Sequence, residues 1–196
     1  MLDLRGTGDL AILYAARYPQ RIRSLSLITA RARALGVDFT EEHRREITAL
    51  RTAESWFEAA HEAYEAVWFG DPTDADFDAA APFLYGRWDA AAQAHAAAEA
   101  EQTNEPAAGI YASSGAFDPA ATRAAMASLD APVLVLAGEL DSGPRPRVAA
   151  GIAALFPHAE LTIQPGAGHY PWLDDRVRFT QTVAAFLTRG RAHSIK

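Results

Sequence analysis

The residue types with catalytic potential gather toward the C-terminal end of the 196-residue chain. Residues 131–141 read APVLVLAGELD, a short apolar run that ends in Gly138-Glu139-Leu140-Asp141. Residues 166–175 read GAGHYPWLDD and place His169 just after a second strand-like run, residues 159–164. An acid after one buried strand and a histidine after the next are expected to meet at one edge of a parallel sheet. There a carboxylate holds the imidazole in one tautomer and stabilises its cation, which makes the histidine a general base for a nucleophile. The sequence thus offers Asp141 and His169 as a candidate acid–base pair. Glu139 is the weaker alternative acid and is expected to face solvent. Asp141 also has an ordinary reading, as a residue that starts the Ser142-Gly143-Pro144 turn.

No residue makes an equally good nucleophile. Thr7 sits between Gly6 and Gly8, but threonine nucleophiles are generally activated by a terminal amine, so a turn residue is the stronger reading. Ser113 and Ser114 precede Phe117-Asp118-Pro119 without a strand-to-helix context and read as turn residues. Gly6-Thr7-Gly8 lacks the further glycine spacing and the Lys-Ser/Thr pair of a phosphate loop. His43 and His61 read as packing or pocket lining, and His95, His158 and His193 as exposed. No His/Asp/Glu grouping has metal-ligand spacing, so neither a metal nor a cofactor is expected.

Composition narrows the partners. The formal net charge of −7 argues against a nucleic-acid surface, and no Lys/Arg run suggests an anionic membrane. With 49% hydrophobic residues the chain is able to bury a core. The absence of cysteine removes disulfides, thiolate metal sites and cysteine nucleophiles together. The N-terminus has no apolar signal core, and no stretch approaches the roughly 20 apolar residues of a membrane span, so a cytoplasmic protein is expected. Neither a nucleic acid nor a membrane is therefore an expected partner.

The elements that must position the pair follow from hydrophobic period. Residues 2–4 read as the end of a strand and Gly6-Thr7-Gly8 as a tight turn. Asp9 is a candidate N-cap for a helix that buries Leu10, Leu13, Tyr14 and Tyr18 and closes at Pro19. Residues 24–29 (SLSLIT) read as a buried strand, which completes a βαβ unit. From about residue 31 to 129 strand signals vanish and alanine becomes abundant. His43, Ile47, Leu50, Glu54, Phe57, His61, Tyr64 and Trp68 fall on one helical stripe that Gly70-Asp71-Pro72 breaks. Residues 74–78 read as a solvated turn, and further helices as residues 89–101 and 119–129.

The α/β alternation then resumes. Strands are expected at residues 133–137 and 159–164. One helix, residues 147–156, buries Val148, Ile152, Leu155 and Phe156; another, residues 175–187, buries Phe179, Val183, Phe186 and Leu187. The chain is of the α/β class. Residues 1–30 and 130–190 form a core, residues 31–129 an all-helical cap, and residues 191–196 a tail.

The GELD and GAGH motifs, in this order and after LAILYAARYPQRIRSLSLIT, resemble an α/β-hydrolase, closest to its proline-iminopeptidase-like branch. The resemblance covers nearly the whole chain. It implies a partial α/β-hydrolase sheet flanked by helices and topped by the helical cap. It further implies a serine hydrolase of ester or amide bonds, aminopeptidases among them, that acts on a small molecule or short peptide with Asp141 as the triad acid and His169 as the base. The chain departs from the family where the nucleophile elbow G-x-S-x-G belongs. Arg5-Gly6-Thr7-Gly8-Asp9 stands there instead, without serine. DLRGTG resembles the family's segment after an earlier strand, which suggests a junction that omits the elbow. A shortened elbow with Thr7 near the nucleophile's place is the other reading. The expectation is a chain inactive or very weak as it stands, with self-association through an exposed sheet edge. The alternative is a non-catalytic module that binds a small ligand under the cap, where Trp56, Tyr64 and Trp68 offer aromatic surface alongside Phe57, Tyr85 and Trp88.

Overall fold

A computed structural model describes residues 7–102, 105–113 and 115–193. The strand expected at residues 2–4 lies outside them, as do Gly6 and Ser114. Helix α1 (Thr7–Arg17) leads into strand β1 (Leu25–Ile28). Helices α2 (Glu41–Leu50), α3 (Phe57–Phe69), α4 (Asp74–Ala80), α5 (Ala90–Gln102), α6 (Glu105–Ala112) and α7 (Pro119–Met126) follow. Strand β2 (Val133–Gly138), helix α8 (Pro146–Ala153), strand β3 (Ala159–Gln164) and helices α9 (Pro171–Asp174) and α10 (Arg176–His193) complete the order.

Among the described residues the three strands form one parallel sheet in the order β1-β2-β3. Strand β2 is central and buried throughout, the usual state of a parallel strand covered on both faces. Its alternation divides the core. Val133, Val135 and Ala137 pack with Ile12, Ala15, Met126, Val148 and Ile152 of α1, α7 and α8. Leu134 and Leu136 pack on the other face with Phe179, Val183 and Phe186 of α10. Of the helices between β1 and β2, α7 packs onto the sheet core, whereas α2, α3 and α4 form a layer of their own, the one read as the cap. Its own core centres on Ile47, Ala60, Ala63, Tyr64 and Phe83 and reaches Leu140, in the loop after β2.

Several local expectations are corrected. Thr7 and Gly8 belong to α1, so they form no turn, and Asp9 lies inside the first helical turn instead of capping it. The buried face of α1 is Gly8, Ile12 and Ala15, whereas Leu10 is 59% and Tyr14 48% exposed. Close approach chose that face. A Cβ on Gly8 would stand 2.6 Å from the Ala30 Cβ, so the helix presents its smallest side to the chain leaving β1. The stripe from His43 to Trp68 is split between α2 and α3 by turns at residues 51–56. Residues 74–78 are helical because Thr73 and Asp76 form a capping box, which a run of acids had disguised as a turn. Leu187 is 45% exposed, and α10 runs on to His193, into the expected tail.

Candidate active site

The loops after β2 and β3 bring the two marked residues together. His169 Nδ1 stands 3.0 Å from Asp141 Oδ1 and 3.2 Å from Oδ2. The acid's side chain is fully buried, and 14% of the histidine's is exposed. Asp141 also accepts the Gly143 N–H at 2.7 Å, so the turn role and the pairing role are held by one carboxylate. A carboxylate facing Nδ1 favours the tautomer protonated there, which leaves Nε2 to act as base.

Glycines let the two loops meet. A Cβ on Gly138 would lie 2.2 Å from the Gly168 carbonyl oxygen and 2.3 Å from that of Ala167. The backbone of the histidine loop therefore rests directly on the end of β2. Leu140 N–H donates to Ala167 O at 2.8 Å, and Gly166 N–H donates to the exposed Glu139 carboxylate at 2.8 Å. Glu139 is thus a clasp between loops, and Asp141 is the acid that reaches His169.

Three further side chains build this frame, and the sequence reading did not mark them. Arg145, 3% exposed, donates from Nη1 to the carbonyls of Glu139 (2.7 Å) and Asp141 (3.2 Å), and from Nη2 to Glu46 of α2 (3.1 Å). It straps the acid loop and ties it to the cap. Gln164 Nε2 donates to Pro171 O at 2.8 Å. Asp174 accepts the Gly168 N–H at 2.8 Å. A Pro-Arg-Pro context for Arg145 and a second acid five residues past His169 were the only sequence signals.

The remaining candidates fall elsewhere. Tyr64 is buried in the cap core, 4.3 Å between ring centroids from Phe83. Burial pushes its phenol pKa upward, and the negative charge of Asp141 adds to this. Trp56 packs edge-on to Phe83 at 5.0 Å, and Trp68 lies under the Arg44 guanidinium at 3.8 Å. Phe57 stacks on His61 at 4.8 Å, and Tyr85 and Trp88 pack at 5.3 Å. These aromatics are committed to the cap's packing. His43 closes the capping box of α2 with Thr40, so it is a cap and not pocket lining. His95 is half-buried, with Nδ1 2.8 Å from the Tyr85 hydroxyl, where an exposed residue was expected. Ser113 donates its hydroxyl to Ile110 O at the end of α6. Among the described residues no group of three His, Cys, Asp or Glu side chains could hold a metal. Nor is any described helix long and apolar enough to cross a membrane.

At the start of α1, Asp9 is fully buried and accepts from Ala34 N (2.7 Å) and Tyr111 Oη (2.6 Å). Desolvation holds its carboxyl above the ordinary pKa despite these bonds.

The family model for the alpha/beta hydrolase fold matches residues 8–175. A search of curated proteins finds no match. Among solved structures the chain is similar to a proline iminopeptidase from Mycobacterium smegmatis, at 21% identity and a TM-score of 0.61, covering 95% of this chain and 64% of that one. An esterase from Rhodococcus sp. superposes with a TM-score of 0.62 at 18% identity, covering 93% and 62%. A thermophilic esterase from Thermogutta terrifontis gives a TM-score of 0.55 at 22% identity, covering 93% and 62%. The chain therefore spans less than two thirds of the length of each of these structures.

Proposed function

Because the chain belongs to the alpha/beta hydrolase fold family, we propose that it carries the acid–base half of a site for hydrolysing ester- or amide-type bonds. The observation that carries this reading is the 3.0 Å contact between His169 Nδ1 and the fully buried Asp141 carboxylate. In such a site His169 Nε2 takes the proton of a hydroxyl nucleophile as its oxygen attacks the carbonyl carbon. The same proton then passes to the departing alkoxide or amine. Asp141 remains ionised and stabilises the imidazolium formed between the two transfers. The substrate is a small molecule or a short peptide, with aminopeptidase-like and esterase-like chemistry both on this scaffold.

The nucleophile sets the rate. The first serine of the chain is Ser24, beyond α1, and Thr7 is the hydroxyl residue at the start of that helix. Loss of the nucleophile costs on the order of 10⁶ in turnover where a triad acts as a unit. This chain by itself is therefore a very weak hydrolase.

An activated ester such as p-nitrophenyl acetate tests the base, because it needs little help at the leaving group. The expected result is slow turnover that drops by about a hundredfold in His169→Ala, the low end of general-base contributions. An unchanged rate would remove His169 from that role. A fluorophosphonate probe read by intact mass tests the nucleophile, with background labelling expected. Stoichiometric labelling at Thr7 or at a serine would overturn the weak-turnover reading.

A further inference from the structure

Asp174 is remote from the Asp141 carboxylate in the chain, yet it organises the backbone on which His169 stands. Its Oδ2 accepts the N–H of Gly168, the residue before His169, at 2.8 Å, and that of Gly86 at 3.1 Å. Its Oδ1 accepts the N–H of Arg87 at 3.2 Å. Three backbone donors from two distant stretches thus converge on one carboxylate. Desolvation, the largest cause, pushes the Asp174 pKa upward, and the three backbone donors work against it.

The same cap segment grips His169 directly. The His169 N–H donates to Leu84 O at 2.7 Å. In return, the Arg87 guanidinium donates to the carbonyls of Leu173 (3.4 Å) and Asp174 (3.0 Å). Arg51, 1% exposed, holds the segment from behind by donating to Tyr85 O at 2.9 Å. No side chain separates the two backbones. A Cβ on Gly168 would meet Leu84 O at 2.5 Å, and one on Gly86 would meet Gly166 O at 2.0 Å.

We infer that Asp174 is a positioning residue for His169, which locks the histidine loop to cap residues 84–87 and so holds the imidazole on Asp141. The inference rests on the reading of His169 as the base. Seating of the cap and alignment of the base then become one event, because the carboxylate cannot keep its three donors if either stretch moves away. Cap residues 84–87 belong to the frame of the base as well as to the cover of the site.

The test is the low-field proton resonance of the His169 imidazole Nδ1–H in the full chain, assigned by its loss in His169→Gln. Asp141→Asn is expected to remove it in a folded protein. Asp174→Asn keeps the volume and one acceptor but turns an amide NH₂ toward a backbone donor. It is expected to broaden or shift the resonance and to speed the proton's exchange with solvent by about tenfold, the size that loss of one hydrogen bond gives. Asp174→Ala is expected to remove the resonance while the methyl spectrum stays dispersed. If Asp174→Ala fails to fold, Asp174→Asn decides. Should Asp141→Asn remove the resonance while Asp174→Asn leaves its position and exchange unchanged, Asp174 is merely a cap clamp and the inference is overturned. Should the resonance be missing from the unsubstituted chain, the dyad reading itself fails and takes the inference with it.

Discussion

Asp141 and His169 are 3.0 Å apart and unequally exposed: the acid's side chain is fully buried, and 14% of the base's is open. That asymmetry suits their roles. A buried carboxylate has little choice of partner and fixes the ring, and a partly open imidazole can still meet a reacting atom. Asp141→Ala leaves the Gly143 N–H without its acceptor and the ring without its anchor. A cost of about 2 kcal/mol is expected from the unsatisfied groups, read as a lower urea midpoint at unchanged slope. A midpoint equal to that of the unsubstituted chain would mean that the pair is not formed in solution.

Arg145 supports the acid loop from behind, and its removal is expected to be felt more widely. Arg145→Met keeps the volume but leaves the carbonyls of Glu139 and Asp141 without their charged donor, whereas Glu46, 36% exposed, keeps Arg147 at 3.0 Å. Losing the charged donor to two carbonyls inside the fold costs about 2 kcal/mol. The part owed to Glu46 is that of a partly exposed pair, so in a Glu46→Gln background the cost of Arg145→Met should shrink by about 0.5 kcal/mol, a coupling that a double-mutant cycle measures. Strict additivity would show that the 3.1 Å contact carries no energy.

How far the sequence foretold this site depended on whether a signal was local. Strands β2 and β3 and the Asp141–His169 pairing were legible because each lies in an apolar run followed by a loop, and parallel order puts both loops at one edge. Asp174, Arg145 and Arg51 were not legible, because their partners are carbonyls and N–H groups from distant stretches, and backbone groups carry no sequence label. The face of α1 was misjudged for a related reason. Leu10 and Tyr14 form a plausible apolar stripe, but the contact that decided the rotation was between Gly8 and Ala30, two residues with almost no side chain.

Gly138 tests how tightly the two loops are fitted. In Gly138→Ala the new methyl would meet two carbonyl oxygens of the histidine loop, and neither belongs to a flexible side chain. The loop must lift or the strand end must bend, at a cost of about 3 kcal/mol, the upper part of the range for overpacking. Thermal melting should show the destabilisation, and the His169 Nδ1–H resonance should vanish with it. Survival of that resonance in a stable Gly138→Ala protein would mean that the loops are looser than the structure places them.

Asp9 predicts the pH dependence. Its carboxyl is fully buried, and desolvation, the dominant cause, holds its pKa above the 3.8 of the free group. The folded chain therefore binds a proton more tightly than the unfolded chain does. For such a group the stabilising contribution is complete below pH 3.8 and is lost as pH rises through the raised folded value. Asp9→Asn cannot titrate. Its oxygen can still accept from Ala34 N–H, and its amide can donate to the Tyr111 oxygen. The urea midpoint of Asp9→Asn, relative to the unsubstituted chain, should therefore rise as pH increases from about 4 through the folded pKa and then level off. Comparing the two proteins at each pH cancels Asp174, whose raised pKa acts in the same sense and is common to both. A difference that falls with pH would mean that the Tyr111 and Ala34 bonds outweigh the desolvation of the charge, and that Asp9 is held as a stabilising anion.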